Sequence, residues 1–304
     1  MVQAVPPASD PQDARLFDPA FLQRLETLSL ISRRRVQGQL RGERRSVVKG
    51  RGIEFDDYRP YEPGDDYRYI DWNIVSRLDR IFVKLFSEEE DLDVRLVVDT
   101  SGSMAAGTPS KLALAKRVAA AIGYIGLTNL DRVAVTAVTS DRGPSLARLR
   151  GRGRAFDLLR FLDRLAPGGD TDLDQALSRD LGEHRRGGLL VILSDLLDPH
   201  GHEGALLQAR HRRFQTFVIH ILADEEIAPP LSGELRLVDV ETGRAVELSV
   251  DAEALRSYAA ARDAYFRDLE RFCVRHRIDY VRTTSSVPVD VLVLRSLRQG
   301  GLVR

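Results

Sequence analysis

A chain of 304 residues with 43% hydrophobic content can bury a sizeable core, enough for one large domain with a smaller companion. Lys plus Arg equals Asp plus Glu at 45 each, so no excess charge directs the chain to nucleic acid or to an anionic membrane. One cysteine, Cys273, excludes an internal disulfide framework and fits a reducing compartment, where its expected role is helix packing.

Residues 1–16 read as a disordered N-terminus: Met1 to Asp13 is rich in Pro and Ala and lacks the apolar centre of a secretion signal. No stretch approaches the roughly 20 apolar residues of a membrane-spanning helix, so the expected location is the cytoplasm. Phe17 to Leu30 carries apolar side chains at helical spacing and leads into the basic run Ile31 to Lys49, read as a solvated charged segment, with a docking patch for an acidic surface as the alternative. Gly50 to Phe86 turns to Gly, Pro, Tyr, Asp and Arg and ends in the alternating strand Arg80 to Leu85. Residues 17–90 therefore form a helix, a basic segment and a β-rich unit, in which Phe55, Tyr58, Tyr61, Tyr67 and Trp72 read as a small core and Arg59, Arg68 and Asp71 as buried ion pairs.

From residue 91 to 304 short apolar runs alternate with amphipathic helices, the rhythm of an α/β, doubly wound, mostly parallel sheet. The expected strands are Val94 to Val98, Val133 to Val138, Leu189 to Leu193, Thr216 to Leu222 and Ile278 to Val281; runs such as Leu189 to Leu193 are apolar on both faces, as strands covered by helices on two sides must be. The first helix is expected to be capped by Thr108 with Pro109 in its first turn, and its apolar stripe is Leu112, Ala115, Val118, Ile122 and Ile125. Further helices are expected over Ala155 to Leu165, Asp172 to Leu181, Glu203 to Arg212 and Ala252 to His276. Glu234 to Val240 and Arg244 to Val250 alternate around Glu241-Thr242-Gly243 as a β-hairpin, an insertion over residues 231–250 expected to join the β-rich unit.

In open α/β sheets ligands sit beyond the carboxyl ends of strands. Three segments there offer hard oxygen donors: Asp99-Thr100-Ser101-Gly102-Ser103 after the first strand, Gly168-Gly169-Asp170-Thr171-Asp172 before a helix, and Ser194-Asp195 after another strand. Hydroxyls and carboxylates on tight Gly turns suit Mg²⁺, which takes an octahedron of oxygens and keeps several waters.

The order Asp99-x-Ser101-x-Ser103, then Thr171, then Asp195 resembles the metal-ion-dependent adhesion site of von Willebrand factor A domains. The resemblance implies Ser101, Ser103 and Thr171 as direct ligands of Mg²⁺ (or Mn²⁺ or Ca²⁺), and Asp99 and Asp195 holding the ion through water; Asp170, beside Thr171, is an alternative ligand that the family pattern does not favour. Neutral hydroxyl ligands leave the ion with net positive charge and an open position for a partner's carboxylate. The stretch Gly52 to Asn73, with Phe55-Asp56-Asp57-Tyr58-Arg59-Pro60-Tyr61 and Pro63-Gly64-Asp65, is similar to the hallmark of the bacterial domain-of-unknown-function 58 family. That family implies a von Willebrand A-like domain after the hallmark and a MoxR-type AAA+ ATPase as neighbour, hence an adaptor or assembly factor without catalysis.

Other chemistries fit less well. A haloacid dehalogenase-type phosphatase would carry a second acid at position 101, which is Ser101. No Gly-x-Ser-x-Gly elbow frames Ser101 or Ser103, and Gly151-Arg152-Gly153 lacks the remainder of a nucleotide fingerprint. His200 and His202 have no further ligand nearby in sequence and are read as surface residues. The runner-up function is a Mg²⁺-dependent, phosphatase-like hydrolase using the same site.

Overall fold

The computed structural model describes Gln23, Leu25, and residues 53–78, 80–88, 92–139, 143–169, 172–182, 187–198, 201–239, 243–297 and 301–302. The chain divides into two compact units, Val36–Asp91 and the remainder. The basic run Ile31 to Lys49 and most of the expected helix Phe17 to Leu30 lie outside the described residues, although Leu25 is fully buried in the core of the larger unit.

In the smaller unit β1 (Ile53–Pro60) pairs antiparallel with β2 (Phe82–Glu88), with an irregularity between Phe55 and Asp57, and α1 (Trp72–Leu78) lies between them in sequence. Buried Asp71 joins strand to helix: it accepts a hydrogen bond from the Tyr58 hydroxyl at 3.0 Å and another from the Asn73 amide at 3.0 Å in the first turn of α1. The expected aromatic core does not form as read. Tyr67 and Trp72 are 72% and 65% exposed, because one short ribbon and a two-turn helix cannot enclose five rings. The ion pairs are local as well, Arg59 to Asp65 at 2.7 Å and Arg68 to Asp66 at 2.6 Å, and lie at the surface of the unit.

The larger unit is built on a six-stranded sheet in the order β10-β7-β6-β3-β4-β5, formed by β3 (Asp93–Asp99), β4 (Arg132–Val138), β5 (Ser145–Arg150), β6 (Leu189–Ser194), β7 (Gln215–Leu222) and β10 (Asp279–Thr284). All neighbours are parallel except β5, an antiparallel edge strand. Alternation along each strand explains the layers. Val94, Leu96 and Val98, with Leu189, Val191 and Leu193, face a core shared with α2 (Lys111–Thr128) and α3 (Ala155–Asp163). Val97, Leu190, Ile192 and Val218 face the opposite core with α4 (Leu173–Gly182), α5 (Glu203–His211) and α7 (Ala252–Arg275). Between β7 and α7 come the short helix α6 (Asp224–Ile227) and the hairpin β8 (Gly233–Val238) with β9 (Ala245–Val250).

The five expected parallel strands and the four later helices are present with ends shifted by a few residues. Three local readings change. Strand β5 has no counterpart among the expected strands. Helix α2 starts at Lys111 and is capped by Ser110, whose hydroxyl accepts from the Ala113 amide at 3.1 Å, so Thr108 and Pro109 precede it. The hairpin falls with the larger unit and not with the N-terminal strands, because β9 runs directly into α7: Val250 is buried and Asp251 caps the helix by accepting from the Glu253 and Ala254 amides. Cys273 is fully buried on α7, as expected for a packing residue, and burial pushes its thiol up to about 12. Among the described residues no helix is long and apolar enough to cross a membrane.

Two carboxylates tie the helices together beside the carboxyl edge of the sheet. Asp198, just beyond β6, accepts from the Leu173 amide at 2.7 Å and so caps α4, while Asp174 on α4 accepts from the Ala205 amide in the first turn of α5. The central strand β3 carries the load of both cores. Truncating the fully buried Leu96 to Ala is expected to remove about 2–5 kcal/mol in urea unfolding; a loss within error would contradict this packing.

Candidate metal centre

Connections leave β3 in one direction, to β4 and β5, while β6, β7 and β10 continue on its other side. The helix after β3 packs on one face and the helix after β6 on the other, so the loops at the carboxyl ends of β3 and β6 diverge, the place where open α/β sheets take their ligands. Asp99 closes β3, and Ser194 and Asp195 stand at the end of β6.

Asp99 is 1% exposed. Its Oδ1 accepts the Ser101 amide at 2.9 Å and its Oδ2 accepts the Ser194 hydroxyl at 2.6 Å. Burial, and then the charge of Asp195, raise its pKa above the ordinary carboxylate value, against the lowering effect of these hydrogen bonds. The loop after Asp99 is clamped on both sides. The Thr100 amide and hydroxyl donate to the Val138 carbonyl at the end of β4, Gly168 donates to the Thr100 carbonyl at 2.9 Å, and Gly102 donates to the Gly169 carbonyl at 2.9 Å. Residues 102–105 then form a single 3-10 turn.

The turn brings Ser101 Oγ within 3.0 Å of Ser103 Oγ, and Ser103 Oγ donates to Asp195 Oδ2 at 2.7 Å. Asp195 Oδ1 accepts the Leu197 amide at 3.1 Å. Four of the residues expected at the site, Asp99, Ser101, Ser103 and Asp195, therefore converge. Thr171 and Asp170 lie outside the described residues, but the chain is anchored on both sides of them, by Gly169 against Gly102 and by Leu173 against Asp198.

The donor set fits a hard divalent cation. Adjacent ligands in an octahedron with metal–oxygen distances of about 2.0–2.1 Å stand about 2.9 Å apart, and the two serine oxygens already have that spacing. Two hydroxyls backed by two carboxylates suit Mg²⁺ or Mn²⁺ better than a thiolate-seeking or imidazole-seeking ion.

Two participants escaped the sequence reading. Lys111 Nζ donates to Asp195 Oδ2 at 2.6 Å and pairs with the Glu226 carboxylate on α6. Burial alone would lower the Lys111 pKa; Asp195 and Glu226 outweigh it and raise it. A signal was present, because Lys111 stands four residues before Ala115 and seven before Val118 and so interrupts the buried stripe of α2 with a charge.

A family model described as protein of unknown function DUF58 matches residues 57–267. The chain belongs to the DUF58 family. The uncharacterized protein Rv1480 of Mycobacterium tuberculosis is 31% identical over 288 residues, which cover 92% of this chain and 86% of that one. The uncharacterized protein MAV169 of Mycobacterium avium is 32% identical over 129 residues, 42% of this chain and 68% of its own. Among solved structures, an aerotolerance-related membrane protein from Bacteroides fragilis aligns at 18% identity and a TM-score of 0.43 over 69% of this chain and 98% of its own. BatB from Bacteroides thetaiotaomicron aligns at 16% and 0.42 over 69% of this chain and 96% of its own.

Beside Ser194 in register on β7 lies His220, fully buried, with Nδ1 2.7 Å from the Tyr280 hydroxyl and its ring edge-on to Phe266. Burial drives its pKa down to about 4. The unfolded chain takes up a proton near pH 6.5 that the folded chain refuses until about pH 4, so this residue's contribution to stability is present above pH 6.5 and is lost as pH falls to 4. The loss is about 3 kcal/mol at most for this histidine. His202, also lowered by burial, adds a change of the same sign. Melting temperatures of wild type and His220→Gln measured across pH 4–7 should therefore converge toward the acid end; parallel curves would contradict a buried neutral imidazole.

Proposed function

We propose that this DUF58 protein uses a von Willebrand A-like metal centre to bind another protein. The 3.0 Å spacing of Ser101 Oγ and Ser103 Oγ beyond the carboxyl end of β3 is the observation that carries the reading. Ser101, Ser103 and Thr171 supply the direct oxygen ligands of Mg²⁺, and Asp99 and Asp195 orient the two serine hydroxyls and hold the ion's water. When bound, the ion offers a positively charged open position to a carboxylate. The protein's own groups favour holding over turnover: both carboxylates at the centre are engaged by donors of the chain itself, Ser194 and the Ser101 amide on Asp99, and Ser103, Lys111 and the Leu197 amide on Asp195. A MoxR-type AAA+ ATPase is the proposed partner, on the strength of the family resemblance, and an acidic residue on it is the proposed contact.

Asp99→Ala is expected to weaken Mg²⁺ binding by about 10–100-fold in calorimetric titration, the usual cost of losing a group that orients ligands. Partner capture should fall in parallel, with circular dichroism unchanged. A variant that loses the ion yet captures the partner fully would place recognition elsewhere, and steady Mg²⁺-dependent phosphatase turnover abolished by the same substitution would replace the binding reading with an enzymatic one.

A further inference from the structure

A lysine in the first turn of a helix opposes the helix dipole, and a lysine with no exposed surface must be matched by carboxylates. Lys111 is both: it is the first residue of α2 and its side chain is 0% exposed. Its ammonium lies between Asp195 Oδ2 at 2.6 Å, itself buried, and the Glu226 carboxylate, which is 24% exposed. Glu226 is fixed in turn, because its Oε2 accepts the Ala223 amide at 2.8 Å and its carbonyl accepts the Tyr258 hydroxyl of α7 at 2.6 Å.

The oxygen of Asp195 that holds the ammonium is also the one that holds Ser103 Oγ. Lys111 and Ser103 therefore share one acceptor, and the ammonium acts on the ligand set without being a ligand. We infer that Lys111 is a built-in counter-cation of the metal centre: its charge beside Asp195 limits how strongly the centre holds a divalent ion, with Glu226 on α6 balancing it. The inference rests on the metal-centre reading.

Its consequence is a pair of opposite effects. Removing the ammonium makes the surroundings of the ion one charge more negative and should tighten cation binding, while neutralising Glu226 leaves Lys111 to act on Asp195 alone and should loosen it. A merely structural ion pair would make both substitutions destabilising without opposite shifts in affinity. Long-range charge effects at a partly buried centre are large enough to read, since a unit charge about 4 Å away interacts by several RT at the effective dielectric of a protein.

The test is calorimetric titration of Lys111→Met and Glu226→Gln with Mg²⁺ and with Mn²⁺, beside melting temperatures in chelator. Lys111→Met should bind either ion ~10-fold more tightly than wild type and melt lower in chelator, with the ion restoring much of the loss. Glu226→Gln, whose amide oxygen can still accept from Ala223, should bind ~3–10-fold more weakly. Should Lys111→Met fail to fold, the direction of the Glu226→Gln shift decides. Wild-type cation binding with affinities unchanged or shifted the same way in the variants would overturn the role of Lys111 and leave the metal centre standing; absence of cation binding in all three proteins would overturn both.

Discussion

Two carboxylates buried at the ends of neighbouring strands are the constraint around which the larger unit is arranged. An ionised carboxylate taken out of water is costly unless donors surround it, and Asp99 and Asp195 stand close enough to raise the pKa of Asp99. The fold answers with donors drawn from distant parts of the chain: Ser194 from the next strand, the Ser101 amide from the following turn, Ser103 from the 3-10 turn, and Lys111 from the start of α2. Each depends on the divergence of the connections at β3, which brings those loops together at the carboxyl ends of β3 and β6. The clamps from Thr100 to Val138 and from Gly102 to Gly169 hold the turn, and with it the two serine oxygens, in place.

That preorganisation is what the proposed binding role requires. A centre whose ligands are spaced in advance loses little conformational freedom on taking up an ion. Glu226 extends the same set of contacts outward, through α6 to Tyr258 on α7, so the surroundings of the centre reach the helix that follows the hairpin. The hairpin itself carries Leu237 and Val246 paired across its strands and both exposed.

What could be read from the sequence followed from physical rules with short range. The parallel strands announced themselves because both faces are apolar, as with Leu189 to Leu193, and the helices because their stripes repeat. Strand β5 did not, because an edge strand with one covered face and arginines on the other has no such run. Trp72 and Tyr67 misled because large aromatic rings usually mark a core, whereas this small unit leaves them at its surface. At the site, the meeting of Asp99, Ser101 and Ser103 was legible since their motif is local, and that of Asp195, 92 residues from Ser103, since it follows directly on a strand whose end is predictable. The Lys111 pairing with Glu226 spans 115 residues and leaves no periodic trace beyond one charge on a buried stripe.

The central claim is that Ser101 and Ser103 are spaced to bind a divalent ion, and the most direct measurement of it is anomalous diffraction from crystals soaked in Mn²⁺. The account predicts a single strong anomalous peak about 2.0–2.2 Å from both serine oxygens, with Asp99 and Asp195 reaching it through water. A well-ordered site with no peak there at millimolar Mn²⁺, or a peak bound elsewhere with the Ser101 and Ser103 hydroxyls still hydrogen-bonded to each other, would contradict it.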